Sequence, residues 1–158
     1  MRFDLHIHTC LSPCADLEMA PRAIARAAAA AGLGGIAAAD HNSARNAPAL
    51  RTACADASLS CLFALEVTTV EEAHVLALFD TPEQAAAMTE TVYAALPKRV
   101  NQPEIFGDQP VVDADEGIEE LEWRLLAAPT RLALRETGAV AHALGGLFIA
   151  AHIDRPTA

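Results

Sequence analysis

Six histidines occur in the 158-residue chain, and five of them stand where a strand is expected to begin or end. His6 and His8 flank Ile7, and residues two apart on a strand face the same way, so both imidazoles can serve one metal ion. A lone His-x-His pair fits two hydrogen-bonded histidines in a polar loop equally well. Asp40-His41-Asn42 follows an apolar run of Gly, Leu, Ile and Ala. A charge and an imidazole are costly there unless they are used, although Asp40 and Asn42 could simply cap the next helix. Glu66 closes Phe63-Ala64-Leu65, where a carboxylate can bridge two ions through its two oxygens. His74 opens the run Val75 to Phe79, and His152 closes Leu147 to Ala151. Each alone reads as a satisfied core histidine. Taken together they read differently, because strand termini of a parallel sheet or barrel converge on one rim. His6, His8, His41, Glu66, His74 and His152 can meet there. Such a nitrogen-and-carboxylate set suits Zn, Mn or Fe better than Ca or Mg.

The elements that would position these residues follow from pattern. Phe3, Leu5 and Ile7 alternate with polar neighbours and predict a strand over 2–7. Pro21 suits the first turn of a helix ending at Gly32. Leu33 to Ala39 reads as a buried strand, and Ser43 as the cap of a helix reaching about Ala57. Strands are expected over 62–67 and 73–79, then a helix from Thr81-Pro82-Glu83 to about Leu96. Residues 97–117 are irregular, and a connection of that length is usually functional or mobile. Glu119 to about Leu126 reads as helix, Pro129 breaks the pattern, and another helix runs to about Leu144. This helix holds His142, which reads as structural. Leu147 to Ala151 is the last strand. The order predicts an α/β fold with a largely parallel sheet, in one domain over 1–158, with the polar residues at the C-terminal strand ends.

Composition narrows the function. The formal net charge is −10, which disfavours nucleic acid as a partner. An acidic protein can still act on an anionic substrate if metal ions supply local positive charge. No apolar run is long enough to span a bilayer, and the N-terminus already reads as a strand, so a cytoplasmic location is expected. The four cysteines (Cys10, Cys14, Cys54, Cys61) form no Cys-x-x-Cys pair, and reduced thiols are expected.

Several motifs in order resemble those of the PHP (polymerase and histidinol phosphatase) superfamily. They are Asp4-Leu5-His6-Ile7-His8-Thr9, Ala39-Asp40-His41-Asn42-Ser43, Glu66-Val67-Thr68-Thr69 with Glu72-Ala73-His74-Val75-Leu76, and Ala151-His152-Ile153-Asp154-Arg155. The resemblance spans essentially the whole chain. It implies a distorted (β/α)7 barrel with up to three divalent ions, Zn or Mn with Fe as a third option, and phosphoesterase activity. Carried over by residue, His6 and His8 would hold one ion and His41 a second, Glu66 would bridge, and His74 with His152 would complete a third site. The family usually offers another acid or histidine in the loop after the first motif. Pro13 and Cys14 stand nearest that position, and Asp16 is the substitute expected, with Glu18 behind it. The closing Asp-x-His motif of the last strand is missing. The barrel is therefore expected to be incomplete, through truncation or because another chain or an oligomer completes it.

The expected reaction is hydrolysis of a small phosphate monoester or nucleotide-type diester. Asp40 would orient an imidazole, and Arg155 would hold a phosphate oxygen or form a surface salt bridge. The alternative is a PHP-like protein that binds metal without catalysis. An amidohydrolase-type enzyme also begins with His-x-His but usually adds a carbamylated lysine, and the one lysine here, Lys98, lies in the irregular stretch. A polymerase-associated proofreading module fits neither the charge nor the absence of polymerase sequence.

Overall fold

The computed structural model describes residues 1–153. Five strands form one mixed sheet. They are β1 (Phe3–Ile7), β2 (Gly35–His41), β3 (Ser60–Thr68), β4 (His74–Phe79) and, late in the chain, β7 (Leu147–Ala150), in the spatial order β1-β2-β3-β4-β7. The pairs β1–β2 and β2–β3 are parallel, whereas β4 runs antiparallel to both β3 and β7. The sheet is thus parallel except for one inverted strand. Helix α1 (Pro21–Ala30) buries Pro21, Ile24, Ala25 and Ala28, one face at helical spacing. It ends before Gly32, whose φ of +69° suits a residue without a Cβ. Helix α3 (Pro82–Ala95) starts with a capping box, Thr81 Oγ1 accepting from Gln84 N and Gln84 Oε1 accepting from Thr81 N.

The central strands β2, β3 and β4 are buried on both faces over most of their length, so their side chains sort by parity. On the outer face Ile36 and Ala38 pack with Ile24, Ala28, Leu50 and Cys54. Phe63, Leu65 and Val67 join Val75, Ala77 and Phe79 under Met88 and Val92 of α3. On the inner face Ala37, Ala39, Ala64, Leu76 and Leu78 form a separate apolar layer with Leu5, Leu62 and Ala151. The same parity continued to the strand ends brings His41, Glu66 and His74 onto the inner face. In β1 Leu5 packs inward but Ile7 packs outward, and the pairing register with β2 shifts between Asp4 and Ile7. That irregularity switches parity, so His6 and His8 flank an outward Ile7.

Two expectations change here. The segment expected to be helical from Glu119 is β6 (Ile118–Leu121), paired with β5 (Pro110–Val112) beyond a four-residue helix α4 (Pro103–Phe106). Glu and Leu are good helix formers, but tertiary pairing overrides that weak preference. The hairpin turn is held by Asp113 Oδ1, which accepts from Asp115 N and Gly117 N, each at 2.8 Å. Ser43 does not cap α2 (Ala47–Asp56), which starts after Asn46; its hydroxyl lies 2.8 Å from Tyr93 Oη. The following helix, α5 (Leu134–Ala143), begins five residues beyond Pro129. Among the described residues no helix is long and apolar enough to cross a membrane.

Candidate metal centre

Glu66 stands at the middle of the rim, 1% exposed. Its Oε2 lies 3.1 Å from His6 Nε2, 3.2 Å from His8 Nε2 and 3.4 Å from His41 Nδ1. Its Oε1 lies 2.9 Å from both His74 Nδ1 and His152 Nε2. The five imidazoles form a closed circuit around this carboxylate. Successive ring centroids are 5.2 Å (His6–His8), 4.7 Å (His8–His41), 5.5 Å (His41–His74), 5.3 Å (His74–His152) and 5.7 Å (His152–His6) apart. That circuit repeats the strand order and then closes from β7 back to β1. The sheet is therefore curled, with its two edges brought together at the rim as a half-barrel.

Strand direction explains why His74 belongs. The other four histidines sit at or just past C-terminal strand ends, whereas His74 opens β4. In an all-parallel sheet it would lie on the opposite rim. Because β4 is inverted, its N-terminal end joins the C-terminal ends of its neighbours. His41 and Glu66 are register partners across the parallel β2–β3 pair. Asn42 locks that junction: its φ is +54°, its amide N–H donates to Glu66 O, and its side chain donates to Leu126 O and Ala128 O while accepting from Thr68 N. Asn42 thus ties two strand ends to the 126–128 loop and is not a helix cap.

Asp40 is wholly buried and supports the imidazoles through Ser12. It accepts from Thr9 N at 2.6 Å, Thr9 Oγ1 at 2.7 Å and Ser12 Oγ at 2.7 Å. Burial pushes its pKa up, opposed by these donors from Thr9 and Ser12. Ser12 Oγ spends its one proton on Asp40 and accepts from His41 N at 3.1 Å. The contact of 3.0 Å to His8 Nδ1 then has the imidazole as donor. His8 is held as the Nδ1–H tautomer, with the Nε2 lone pair facing Glu66.

The electrostatics suit a cation. Burial alone would raise the Glu66 pKa, but the imidazoles around it, His6, His8 and His41, overcome it and hold the carboxyl well below its usual range. Burial, with His8, His74 and His6 nearby, pushes His41 down to about 4 against the pull of Glu66. His41 is thus neutral, as a ligand must be. Its Nδ1 is buried and makes no hydrogen bond, an orphan that a metal ion would satisfy. Three triads bring ligand atoms within 4.8 Å of one another: His8 with Cys14 and His41, His6 with Glu66 and His152, and His41 with Glu66 and His74. The residues present therefore fit divalent cations.

The structure brings His6, His8, His41, Glu66, His74 and His152 together around an open cavity of about 380 Å³. Asp16 does not join them. It is exposed, and its Oδ1 accepts from Glu18 N at 3.2 Å. Cys14 lines the cavity instead. Burial, with Glu66 and Asp40 nearby, pushes its thiol pKa up. Arg155 and Asp154 lie outside the described residues. Thr9, Ser12 and Cys14 were not singled out as site residues by pattern, because the 9–20 loop has no periodicity to read. The resemblance did place Cys14, with Pro13, nearest the family's further ligand position, and Thr9 closes the first motif; nothing in the sequence marked Ser12.

This is a mixed α/β half-barrel with a His/Glu cluster at its rim, and solved structures share the fold. It resembles a Bifidobacterium adolescentis protein provisionally described as a metal-dependent phosphoesterase, with a TM-score of 0.67 at 21% identity, covering 99% of this chain and 68% of that one. It also resembles an amidohydrolase from Chromobacterium violaceum, solved with bound sulfate and no metal, with a TM-score of 0.60 at 16% identity, covering 98% and 68%. No family model and no curated protein matches the sequence.

Proposed function

We propose that the protein is a metal-dependent phosphoesterase of the PHP type, acting on a small phosphate monoester or a nucleotide-type diester. The observation that supports this best is the closed circuit of five imidazoles around Glu66, since it offers ligands for more than one ion. The three overlapping triads support a reading of up to three ions, for which zinc or manganese is proposed, with iron as a third option. Such ions supply Lewis acidity toward phosphate oxygens and lower the pKa of water. The chain's own residues do the rest. Glu66 offers one oxygen to each side of the cluster. Asp40 acts through Ser12 to keep His8 in the ligand tautomer. The cavity is open enough to admit a phosphoryl group beside the cluster, and the excess negative charge elsewhere disfavours polyanions as substrates. Arg155 is proposed to hold a phosphate oxygen. A partner chain or second copy completing the barrel is part of the same proposal.

The amidohydrolase reading is the poorer fit. Lys98 is exposed and lines a different cleft, with Leu96, Pro97 and Arg131, so no lysine reaches the rim. The test is metal analysis of the purified protein, with turnover of an aryl phosphate and of an N-acyl amino acid after Mn or Zn is added. Phosphate release without amide cleavage supports the proposal. Amide cleavage alone, or metal bound with no turnover of either substrate, overturns it in favour of an amidohydrolase or a non-catalytic metal protein.

A further inference from the structure

We propose that Cys14 is a thiolate ligand of the ion held by His8 and His41, which makes that position select zinc over manganese or magnesium. The inference rests on the metal-centre reading above and names the chemistry of one of its positions.

Four observations converge. Cys14 Sγ lies within 4.8 Å of the ligand nitrogens of His8 and His41. Zinc bonds of about 2.0 Å to nitrogen and about 2.3 Å to sulfur set tetrahedral ligand atoms roughly 3.3–3.8 Å apart, so a small inward movement closes the triad. Both imidazoles are placed for it: His8 commits Nδ1 to Ser12 and turns Nε2 toward the cluster, 3.2 Å from Glu66 Oε2, while His41 Nδ1 is buried without a hydrogen bond. The loop carrying Cys14 is fixed by the same network, since Ser12 is bonded to Asp40 and its carbonyl accepts from Ala15 N at 3.0 Å. The other cysteines have different surroundings: Cys10 and Cys54 are buried, and Cys61 packs against the apolar core.

The chemistry then distinguishes the positions. A thiolate is a soft donor that favours zinc and similar ions, whereas manganese and magnesium prefer oxygen ligands. The two triads that contain Glu66 offer nitrogen and oxygen only. On binding, the Cys14 S–H bond is replaced by a sulfur–metal bond and the proton leaves to solvent. The cluster thus has one thiophilic position and a harder remainder, and mixed loading with two different metals is the expected resting form.

Cobalt(II) provides the test, because a thiolate bound to it gives a near-ultraviolet charge-transfer band and the ion itself gives visible ligand-field bands. The chelator-treated 158-residue chain, titrated with cobalt, is expected to show both. Cys14→Ser is expected to lose the charge-transfer band, keep visible bands, and weaken zinc binding by more than about tenfold while leaving manganese binding unchanged. Cys14→Asp is expected to restore metal affinity without the band. Visible bands with no charge-transfer band in the wild-type chain, or a band that survives in Cys14→Ser, would overturn the proposal and leave the metal centre standing. Absence of all cobalt bands in the folded wild-type chain would overturn both.

Discussion

His41 and Glu66 face each other on the last rung of the parallel β2–β3 pair, with His41 Nδ1 3.4 Å from Glu66 Oε2. β2 ends at His41, whereas β3 runs on to Thr68 in its pairing with β4, so the two buried polar groups meet where the parallel pairing stops. The pair gives the metal-free protein a defined response to acid. The folded pKa of His41, about 4, lies below the ordinary histidine value of about 6.5. As the pH falls through 6.5 the unfolded chain takes up a proton that the folded chain refuses, so stability declines until the pH reaches about 4. That difference corresponds to roughly 3 kcal/mol at 1.36 kcal/mol per pH unit. The Glu66 pKa is lowered by folding, so its contribution is present above about 4.5 and is lost as the pH falls further. The two effects have the same sign. Urea midpoints of the chelator-treated protein should fall steadily from pH 7 to pH 4, and a midpoint flat over that range would contradict the assignment.

Glu66→Gln removes the negative charge while keeping the shape. The variant should bind fewer ions and lose at least ~100-fold in hydrolysis, more than the 10- to 100-fold typical of groups that merely support a ligand. Metal stoichiometry by elemental analysis, read beside turnover, checks this. Full stoichiometry with full activity would show that the carboxylate holds no ion.

Ser12→Ala cuts the link between Asp40 and His8 without touching a ligand atom. It frees the His8 tautomer and leaves Asp40 one donor short. Metal affinity should fall by about 10- to 100-fold, with a stability loss of about 1–3 kcal/mol. Ser12→Thr, which retains the hydroxyl, should recover most of the affinity. An affinity unchanged in Ser12→Ala would remove Ser12 from any positioning role.

Asn42→Ala and Asn42→Gly separate backbone strain from hydrogen bonding. Both lose the bonds to Leu126, Ala128 and Thr68, but only glycine adopts the φ of +54° at no steric cost. Alanine should destabilise by about 1 kcal/mol more than glycine, measured by urea unfolding. Equal losses would mean that the left-handed conformation costs nothing here.

Much of the candidate site was legible in the sequence because strand periodicity locates strand ends and the candidate ligands lie there. His6, His8, His41, Glu66 and His152 needed only that. His74 needed more, since its place depends on the direction of β4, and nothing in Val75 to Phe79 states whether that strand runs up or down. The supporting residues Thr9 and Ser12, and Cys14 in place of Asp16, lie in a loop whose course is set by the long-range bond to Asp40. The Glu119–Leu126 stretch was misread because its composition favours helix. Buried Glu122 instead takes the Tyr93 hydroxyl at 2.8 Å and Arg124 at 2.9 Å, a tertiary network that local propensity does not encode.

The most direct measurement is a crystal structure of the zinc-soaked protein with anomalous data at the zinc edge. The account predicts anomalous peaks inside the imidazole circuit, at least one of them within bonding distance, about 2.0–2.2 Å, of a Glu66 oxygen. A well-ordered circuit of His6, His8, His41, His74 and His152 with no anomalous peak among them would contradict it.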